Sequence, residues 1–195
     1  DERWSGFALE NVSDETIFEY VRISGAEKDS ESNSYNSSNS GGGMYLNNSI
    51  PTLTHMTITG NTALKWGGGM YLNYSLPTLT HVTISNNTAL TGGGMFSYYS
   101  ASTLTDVTIT NNMVGFGGGG MGLYGSNPIL THVTIAGNTS GSGGGISLSN
   151  SILTLTNSII WDNSGESISG PGLSQTQLIT YSDIEGSPVW AGEGN

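Results

Sequence analysis

A block of three glycines and one apolar residue occurs five times in this 195-residue chain. The apolar members of the blocks are Met44, Met70, Met95, Met121 and Ile146. Consecutive blocks are therefore 26, 25, 26 and 25 residues apart, and the segments between them align without gaps. The odd residues come just before the glycines, at Trp66 and Gly117. A constant period in this range indicates a stack of structural repeats.

Within each repeat the apolar residues alternate with polar ones, which is the pattern of a β-strand. Ile84, for example, lies between Thr83 and Ser85. Each repeat is predicted to contain three short strands, typified by GMYLN, PTLT and HVTIS, with Gly, Asn, Ser and Pro between them. One coil cannot bury its own inward face, so the coils are expected to stack, with parallel strands about 4.8 Å apart. The predicted fold is all-β, a parallel β-solenoid of about seven coils of 25–26 residues.

The alignment predicts which residues stack inward. Columns that include the block methionines, Leu79 with Leu104, and Ile84 with Ile109 should form the apolar core. A polar column is also predicted at one turn, where identical amides can hydrogen-bond along the axis. This structural asparagine ladder comprises Asn61, Asn87, Asn112, Asn138 and Asn163.

The chain is expected to form a single β-solenoid domain over residues 1–195. Residues 1–40 are predicted to form irregular N-terminal coils with a polar loop at 27–40, and residues 41–163 to form five regular coils. Residues 164–195 are predicted to form degenerate C-terminal coils. Both ends have solenoid-like sequence, which favours a fragment of a longer protein.

Charge and composition exclude several function classes. The formal net charge is −11, and only four residues are Lys or Arg, so nucleic-acid binding lacks its electrostatic basis. Residues 41–160 contain only Lys65 and Asp106 as charged residues. The chain has no cysteine and no run of about 20 apolar residues. We therefore expect no cofactor, no thiolate metal site and no membrane insertion. The glycine runs precede strands rather than helices, which argues against a phosphate-binding loop.

The pattern GGG-apolar-Tyr followed by TLT-x-VTI-x-x-NTA, present at 67–71 and 78–89, resembles a known family. It is similar to the right-handed parallel β-helix repeats of large bacterial secreted and surface proteins, including those related to polymorphic outer membrane proteins. The resemblance implies a right-handed parallel β-helix and a secreted or cell-surface, extracellular location. It does not specify function, because this fold carries adhesins, phage tail parts and polysaccharide-processing enzymes alike.

One column of ionisable residues has the chemistry of a divalent-metal site: His55, His81, Asp106 and His132. Neighbouring members should lie about 4.8 Å apart on one edge, and imidazole with carboxylate is a plausible ligand set. However, the column lies at a bend, where short polar residues commonly fill a half-exposed corner, and its members should project in parallel. Metal binding and plain corner chemistry therefore both stay open for these four residues.

Two outward arrays of threonine flank this bend and are similar to the flat faces of β-solenoid antifreeze proteins. Threonine is also simply favoured on exposed strands, so ice binding and plain strand chemistry both remain open. The candidate ice or surface face comprises Thr52, Thr54, Thr57, Thr59, Thr78, Thr80, Thr83, Thr103, Thr105, Thr108, Thr110, Thr131 and Thr134.

Aromatic residues form a further outward set, whose rings could stack on sugars while neighbouring amides and hydroxyls fix their orientation. Stacked aromatic pairs also stabilise a solenoid face without any ligand. The candidate glycan face comprises Tyr45, Tyr71, Tyr74, Phe96, Tyr98, Tyr99 and Tyr124.

We predict no enzymatic activity, because residues 41–160 offer neither a cluster of acids nor a basic residue in the arrangement that polysaccharide lyases and hydrolases need. The primary prediction is an extracellular structural or adhesive stalk. Its alternatives are an ice-binding protein and a glycan-binding or polysaccharide-processing β-helix. The expected partners are a cell-surface or matrix component, a polysaccharide, ice or a neighbouring solenoid.

Overall fold

Short β-strands are the regular elements of the computed structural model, which describes residues 4–28, 39–171 and 177–186. β-Branched residues favour these strands, and glycine, asparagine and serine separate them. The strands are β1 (Phe7–Glu10), β2 (Ile17–Glu19), β3 (Arg22–Ser24), β4 (Glu27–Lys28), β5 (Met44–Asn47), β6 (Thr52–Thr54), β7 (Thr57–Thr59), β8 (Thr62–Ala63), β9 (Met70–Asn73), β10 (Thr78–Thr80), β11 (Thr83–Ser85), β12 (Thr88–Ala89), β13 (Met95–Tyr98), β14 (Thr103–Thr105), β15 (Thr108–Thr110), β16 (Met113–Val114), β17 (Met121–Tyr124), β18 (Ile129–Thr131), β19 (Thr134–Ala136), β20 (Ile146–Ser149), β21 (Thr154–Thr156), β22 (Ile159–Trp161), β23 (Ile168–Ser169), β24 (Leu178–Thr180) and β25 (Asp183–Ile184).

Strands from successive turns pair in parallel to form the sheets of a β-solenoid. Sheet 1 has the order β1-β5-β9-β13-β17-β20-β23, and sheet 2 has the order β2-β6-β10-β14-β18-β21-β24. Sheet 3 has the order β3-β7-β11-β15-β19-β22-β25, and sheet 4 is the short series β4-β8-β12-β16. Each inner strand therefore pairs with its counterparts one turn before and one turn after it, and each edge strand with one of them.

The register of these sheets confirms the predicted core columns. Met70 pairs with Met95 in sheet 1, and Leu79 pairs with Leu104 in sheet 2. The core side chains are fully buried and belong to one continuous apolar cluster. The repeat period and the alternation were sufficient to place these residues because a slip of one residue would turn every core side chain outward.

Two predicted features of the coils are corrected by the structure. Among the described residues, three of the regular turns have a fourth strand after the asparagine corner where three strands were predicted, namely β8, β12 and β16, and after Asn138 only an isolated bridge between Thr139 and Met113 continues this sheet. These strands have two residues each, which are too few to show a period of two, and this is why the alternation missed them. The solenoid has about five turns rather than seven. The two end segments add strands to the sheets without repeating the regular pattern. The N-terminal segment adds one strand to each of the four sheets, whereas the described residues of the C-terminal segment add strands to sheets 1 to 3 only.

The polar loop predicted at 27–40 is shorter than expected at both ends. Glu27 and Lys28 form strand β4, and Asn39 and Ser40 are buried. Residues 29–38, the centre of the predicted loop, lie outside the described residues, as do 172–176 and 187–195 of the predicted C-terminal coils.

The glycine triplets are required for two different reasons. The first glycine of a triplet, such as Gly67, has a φ of +63°, a value that glycine adopts without steric cost. The second and third glycines have ordinary φ values but no room for a side chain. A Cβ atom on Gly68 would lie 2.5 Å from the Thr88 carbonyl oxygen and 2.6 Å from that of Gly93. The triplet thus brings the backbones of adjacent turns into direct contact.

We expect Gly68→Ala to lower the free energy of unfolding by about 2 kcal/mol, because the added methyl group meets rigid backbone. Gly60→Asn is the matched control. Gly60 also has a positive φ, but nothing lies within 4 Å of its Cβ position, and Asn86 occupies the same corner with a φ of 55°. Its effect should stay within about 0.5 kcal/mol. Denaturant unfolding measures both variants, and equal stabilities would contradict the close-contact explanation.

Candidate functional site

The outward side of sheet 1 carries an aromatic column that is covered rather than open. Tyr45, Tyr71 and Phe96 are in register on consecutive turns. They point away from the main core and form a second apolar cluster, in which their exposed fractions are only 4%, 3% and 9%. The three residues lie outside the main core, as predicted, but they are covered rather than exposed, and the Trp66 ring packs against Tyr71 and Phe96.

Trp66 was not among the predicted site residues. Its ring stacks on Phe96 at 5.8 Å between centroids and lies 5.7 Å from the ring of Tyr71. The residue forms an isolated bridge with Thr91 of the next turn, directly before the glycine triplet. The signal was available in the sequence, since Trp66 is the extra residue of a 26-residue repeat. The direction in which the extra side chain points depends on the local backbone, which the repeat period does not specify.

These aromatic rings line a cleft of about 450 Å³. The lining residues are Trp66, Tyr71, Asn73, Phe96, Tyr98 and Tyr124. The aromatic column ends at Gly122, which pairs with Phe96. A Cβ atom on Gly122 would lie 2.7 Å from Cδ2 of Phe96, so this glycine gives the Phe96 ring the space to lie across it. The cleft is thus an apolar, open-sided pocket with few polar groups.

The polar groups of the cleft are neutral and held in place. The Asn73 amide Nδ2 donates a 2.7 Å hydrogen bond to Oδ1 of Asn47 on the preceding turn. Burial, followed by the nearby phenol of Tyr45, raises the pKa of Tyr71 far above its ordinary value. The Tyr71 hydroxyl therefore keeps its proton at all physiological pH values and remains able to donate a hydrogen bond.

Four tyrosines form the rim at one end of the cleft: Tyr74, Tyr98, Tyr99 and Tyr124. The ring of Tyr98 stacks on that of Tyr124 at 5.4 Å, and Tyr74 stacks on Tyr99 at 5.5 Å. Tyr98 also makes an edge contact with Tyr99 at 4.6 Å. Tyr98 and Tyr124 line the cleft, whereas Tyr74 and Tyr99 lie beside it. The structure therefore brings all seven predicted aromatic residues into one region.

Tyr74 and Tyr99 adopt a backbone conformation that tyrosine rarely takes. Their φ values are 49° and 46°, and the same corner on other turns carries Asn48, Gly125 and Asn150. A left-handed conformation costs a bulky residue roughly 1 to 2 kcal/mol relative to glycine. These two turns thus bear tyrosine where asparagine or glycine would be more stable.

The predicted metal candidates form a parallel ladder at the corner between sheets 2 and 3. His81 Nε2 is 3.6 Å from Oδ2 of Asp106, and His132 Nδ1 is 3.4 Å from Oδ1 of the same carboxylate. The ring of His55 stacks on that of His81 at 4.8 Å and an interplanar angle of 8°. These side chains follow one another along the axis rather than converge. Over the residues that the structure describes, no group of three or more His, Cys, Asp or Glu side chains is arranged to hold a metal ion.

The threonine arrays lie on two sheets separated by that corner. In sheet 2, Thr54, Thr80, Thr105 and Thr131 are in register on consecutive turns and partly exposed. The parallel row that contains Thr52, Thr78 and Thr103 is interrupted at Ile129. In sheet 3 the rows begin at Thr57 and Thr59 and are interrupted at Ala136, Ile159 and Trp161. The arrays are therefore two narrow faces, and sheet 2 has the longer unbroken row.

The predicted asparagine column is a continuous hydrogen-bonded ladder in the interior. The Nδ2 atoms of Asn61, Asn87 and Asn112 each donate to Oδ1 of the next asparagine at 3.0 Å. The same Oδ1 atoms accept the backbone N–H of the preceding asparagine at 2.9 Å. Asn138 and Asn163 continue the series.

A second polar ladder, of buried serines, was missed. The backbone N–H of each serine donates to the hydroxyl of the serine one turn further on, at 2.9–3.0 Å. Its members are Ser49, Ser75, Ser100, Ser126 and Ser151. One serine begins each aligned segment of the sequence, so the repeat contained the signal.

The chain was compared with protein families, curated proteins and solved structures. The family described as "Right handed beta helix region" matches residues 5–119 and 79–186, which together cover most of the chain. The chain belongs to the right-handed β-helix family. Members of this family are right-handed solenoids. Membership does not indicate an activity, because β-helix domains occur in both enzymes and non-enzymes. No curated protein and no solved structure matches the chain.

In the described part of the chain, no helix has the length and apolarity needed to cross a membrane.

Proposed function

We propose that this β-helix is a non-catalytic adhesive module that binds polysaccharide through the aromatic cleft. The observation that carries the proposal is the composition of that cleft, in which five aromatic rings and one oriented amide line about 450 Å³. Flat aromatic rings supply apolar contact area for the faces of sugar rings, and a few polar groups fix the ligand's orientation. The stacked sheets form the rigid support for this contact surface.

Two further observations support a binding site over an aromatic ladder that only stabilises the fold. The rings of Trp66, Tyr71 and Phe96 line a cleft instead of packing into a solid cluster, and Gly122 allows the Phe96 ring to lie in this position. Tyr74 and Tyr99 are kept in left-handed conformations beside the cleft, at a cost to stability. Tyr20 and Tyr181 adopt the same conformation at another corner, but the rings of Tyr74 and Tyr99 contact those of the lining residues Tyr98 and Tyr124 and support them.

The absence of catalysis is part of the proposal and rests on the chemistry of the lining. No lining residue is a carboxylate, imidazole or amine. General acid–base cleavage of a glycosidic bond needs such a group within hydrogen-bonding distance of the scissile oxygen. Asp106 and its neighbouring histidines belong to the corner between sheets 2 and 3, whereas the cleft is on sheet 1.

We propose an extracellular location on a secreted or surface-displayed protein of bacterial type. The repeat pattern is similar to that of secreted β-helix proteins, and the long neutral shaft rich in Thr, Ser and Asn suits contact with hydrated surfaces. The cleft favours polysaccharide of a cell surface or matrix as the partner over a neighbouring solenoid.

Trp66→Ala tests the adhesive function. We expect the parent protein to be retarded in gels that contain a soluble polysaccharide, and Trp66→Ala to weaken that retention at least about tenfold through loss of its stacking surface. Trp161→Ala is the matched control, because this tryptophan is exposed on sheet 3, away from the cleft. Equal retention of the parent and Trp66→Ala, with both folded, would overturn the proposal.

Tyr124→Ala keeps the test informative if the loss of Trp66 also loosens the fold. Tyr124 lines the cleft and is about one-third exposed, so its removal should weaken binding without lowering stability appreciably. Tyr20→Ala removes an exposed phenol at the histidine corner, away from the cleft, and should bind as the parent does.

Ice binding is a second candidate, favoured by the threonine row of sheet 2. Thr54, Thr80 and Thr105 repeat in strict register, at about 4.8 Å per turn, on a partly exposed face. If this face orders water, the protein should show thermal hysteresis, and Thr105→Tyr should abolish it by disrupting the flat surface. Thr108→Tyr, which changes the sheet 3 face, is the control. No thermal hysteresis of the parent at high protein concentration would eliminate this candidate.

A further inference from the structure

We infer that the cleft selects neutral polysaccharides built of pyranose units and discriminates against polyuronates. This inference rests on the proposed function and names the ligand class for the same site. It follows from the charges along sheet 1, the hydrogen-bonding state of the lining residues and the direction in which the surface continues beyond the cleft.

The lining itself contains no charged side chain. A carboxylate brought into such a site loses hydration, and it needs an arginine or lysine partner to offset the loss. Lys65 is the one cationic residue between 41 and 160, and although it precedes Trp66 in sequence it does not line the cleft. An acidic sugar would therefore enter the cleft without a counterion.

Beyond the cleft, the surface continues along the solenoid axis as a row of amides that ends at an acid. Asn73 of the lining is in register with Asn47, and Asn47 is in register with Glu10. The Glu10 charge reaches this surface, since after burial it is the next cause of the raised pKa of Tyr45. A polymer following the row passes from aromatic rings over two amides towards a carboxylate. Amides suit sugar hydroxyls, whereas the carboxylate repels an anionic chain.

The lining residues match hydroxyl-rich, uncharged rings. Asn73 is oriented by its hydrogen bond to Asn47, and the Tyr71 phenol is neutral and lines the cleft beside it. Both groups can hydrogen-bond sugar hydroxyls, while Trp66 and Phe96 supply apolar area for the C–H face of the ring. The net charge of −11 acts in the same direction, because it lowers the local concentration of polyanions.

Affinity gel electrophoresis with paired polymers tests the inference. Hydroxyethylcellulose and carboxymethylcellulose share a β-1,4-glucan backbone and differ in charge, and xyloglucan and galactomannan with polygalacturonate and alginate extend the comparison. We expect retention by at least one neutral polymer, and at least about tenfold weaker retention by each anionic one. We expect Glu10→Gln to strengthen retention by the anionic polymers, and raised salt to do the same by screening.

The outcomes separate this inference from the proposed function. Retention by polygalacturonate, alginate or carboxymethylcellulose equal to that by the neutral polymers, and lost in Trp66→Ala, would overturn the selectivity for neutral chains and leave the binding site in place. Retention by none of the six polymers would overturn both. Neutral retention that Trp66→Ala and Tyr124→Ala leave unchanged would place binding elsewhere and would also overturn both.

Discussion

Asn87→Leu is expected to lower the free energy of unfolding by about 4 kcal/mol. Oδ1 of Asn87 accepts from the backbone N–H and Nδ2 of Asn61, and its Nδ2 donates to the Ile58 carbonyl oxygen and to Oδ1 of Asn112. Leucine has a similar volume but replaces none of these four bonds, and it leaves the buried Asn61 N–H without its acceptor. An unsatisfied buried donor costs about 1 to 3 kcal/mol, and each further lost bond about 1 kcal/mol.

Asn86→Gly is the control for this measurement. Asn86 is the sequence neighbour of Asn87, but it is exposed and has a positive φ that glycine adopts readily. Denaturant unfolding should place this variant within about 0.5 kcal/mol of the parent. A stability of Asn87→Leu within 1 kcal/mol of the parent would show that the amide ladder does not stabilise the fold.

Ile109→Asn is expected to cost about 5 kcal/mol, the largest effect of any substitution considered for this protein. Ile109 is completely buried, and it is in register with Ile84 and Ile135 on the adjacent turns. The substitution removes apolar packing and introduces an amide that faces hydrocarbon on both sides. A comparable loss on the other face is not expected, because Thr110 is partly exposed.

Two variants make the result specific to the core column. Ile109→Val keeps the apolar character and should cost about 1 kcal/mol, while Thr110→Asn should change stability by less than about 0.5 kcal/mol. Thermal and denaturant unfolding measure all three. Stability losses of the same size in Ile109→Asn and Thr110→Asn would contradict the assignment of Ile109 to the inward face.

The core was predictable because every turn repeats the same constraints. Leu79 and Leu104 occupy equivalent places in aligned repeats, and a parallel solenoid has one way of stacking equivalent places. The positions of the ladder asparagines were predictable for the same reason. The number of turns was overestimated, because the end segments share strand chemistry with the repeats without sharing their constant length.

The cleft was only partly predictable because it depends on departures from the repeat. Tyr71 and Phe96 were identified as neighbours from the alignment, but their burial depends on Trp66, which occurs once in its column. The position of the Phe96 ring likewise depends on Gly122. This glycine occupies the same column as Tyr45 and Tyr71 of earlier turns, and a side chain there would collide with the ring. Repetition thus specifies the framework, and the single residues that break it shape the site.

The nearest-neighbour pairing of the strands determines how this molecule responds to mechanical tension along its axis. Each turn is joined only to the next, so the turns bear a pulling force in series and the junction with the fewest contacts yields first. β13 and β17 are joined over four residue pairs, whereas β20 and β23 are joined over two. Under tension the described solenoid is therefore expected to open first between β20 and β23. The cleft between Trp66 and Tyr124 ends at β17, so the intact junction between β17 and β20 protects its shape while the last turn is lost.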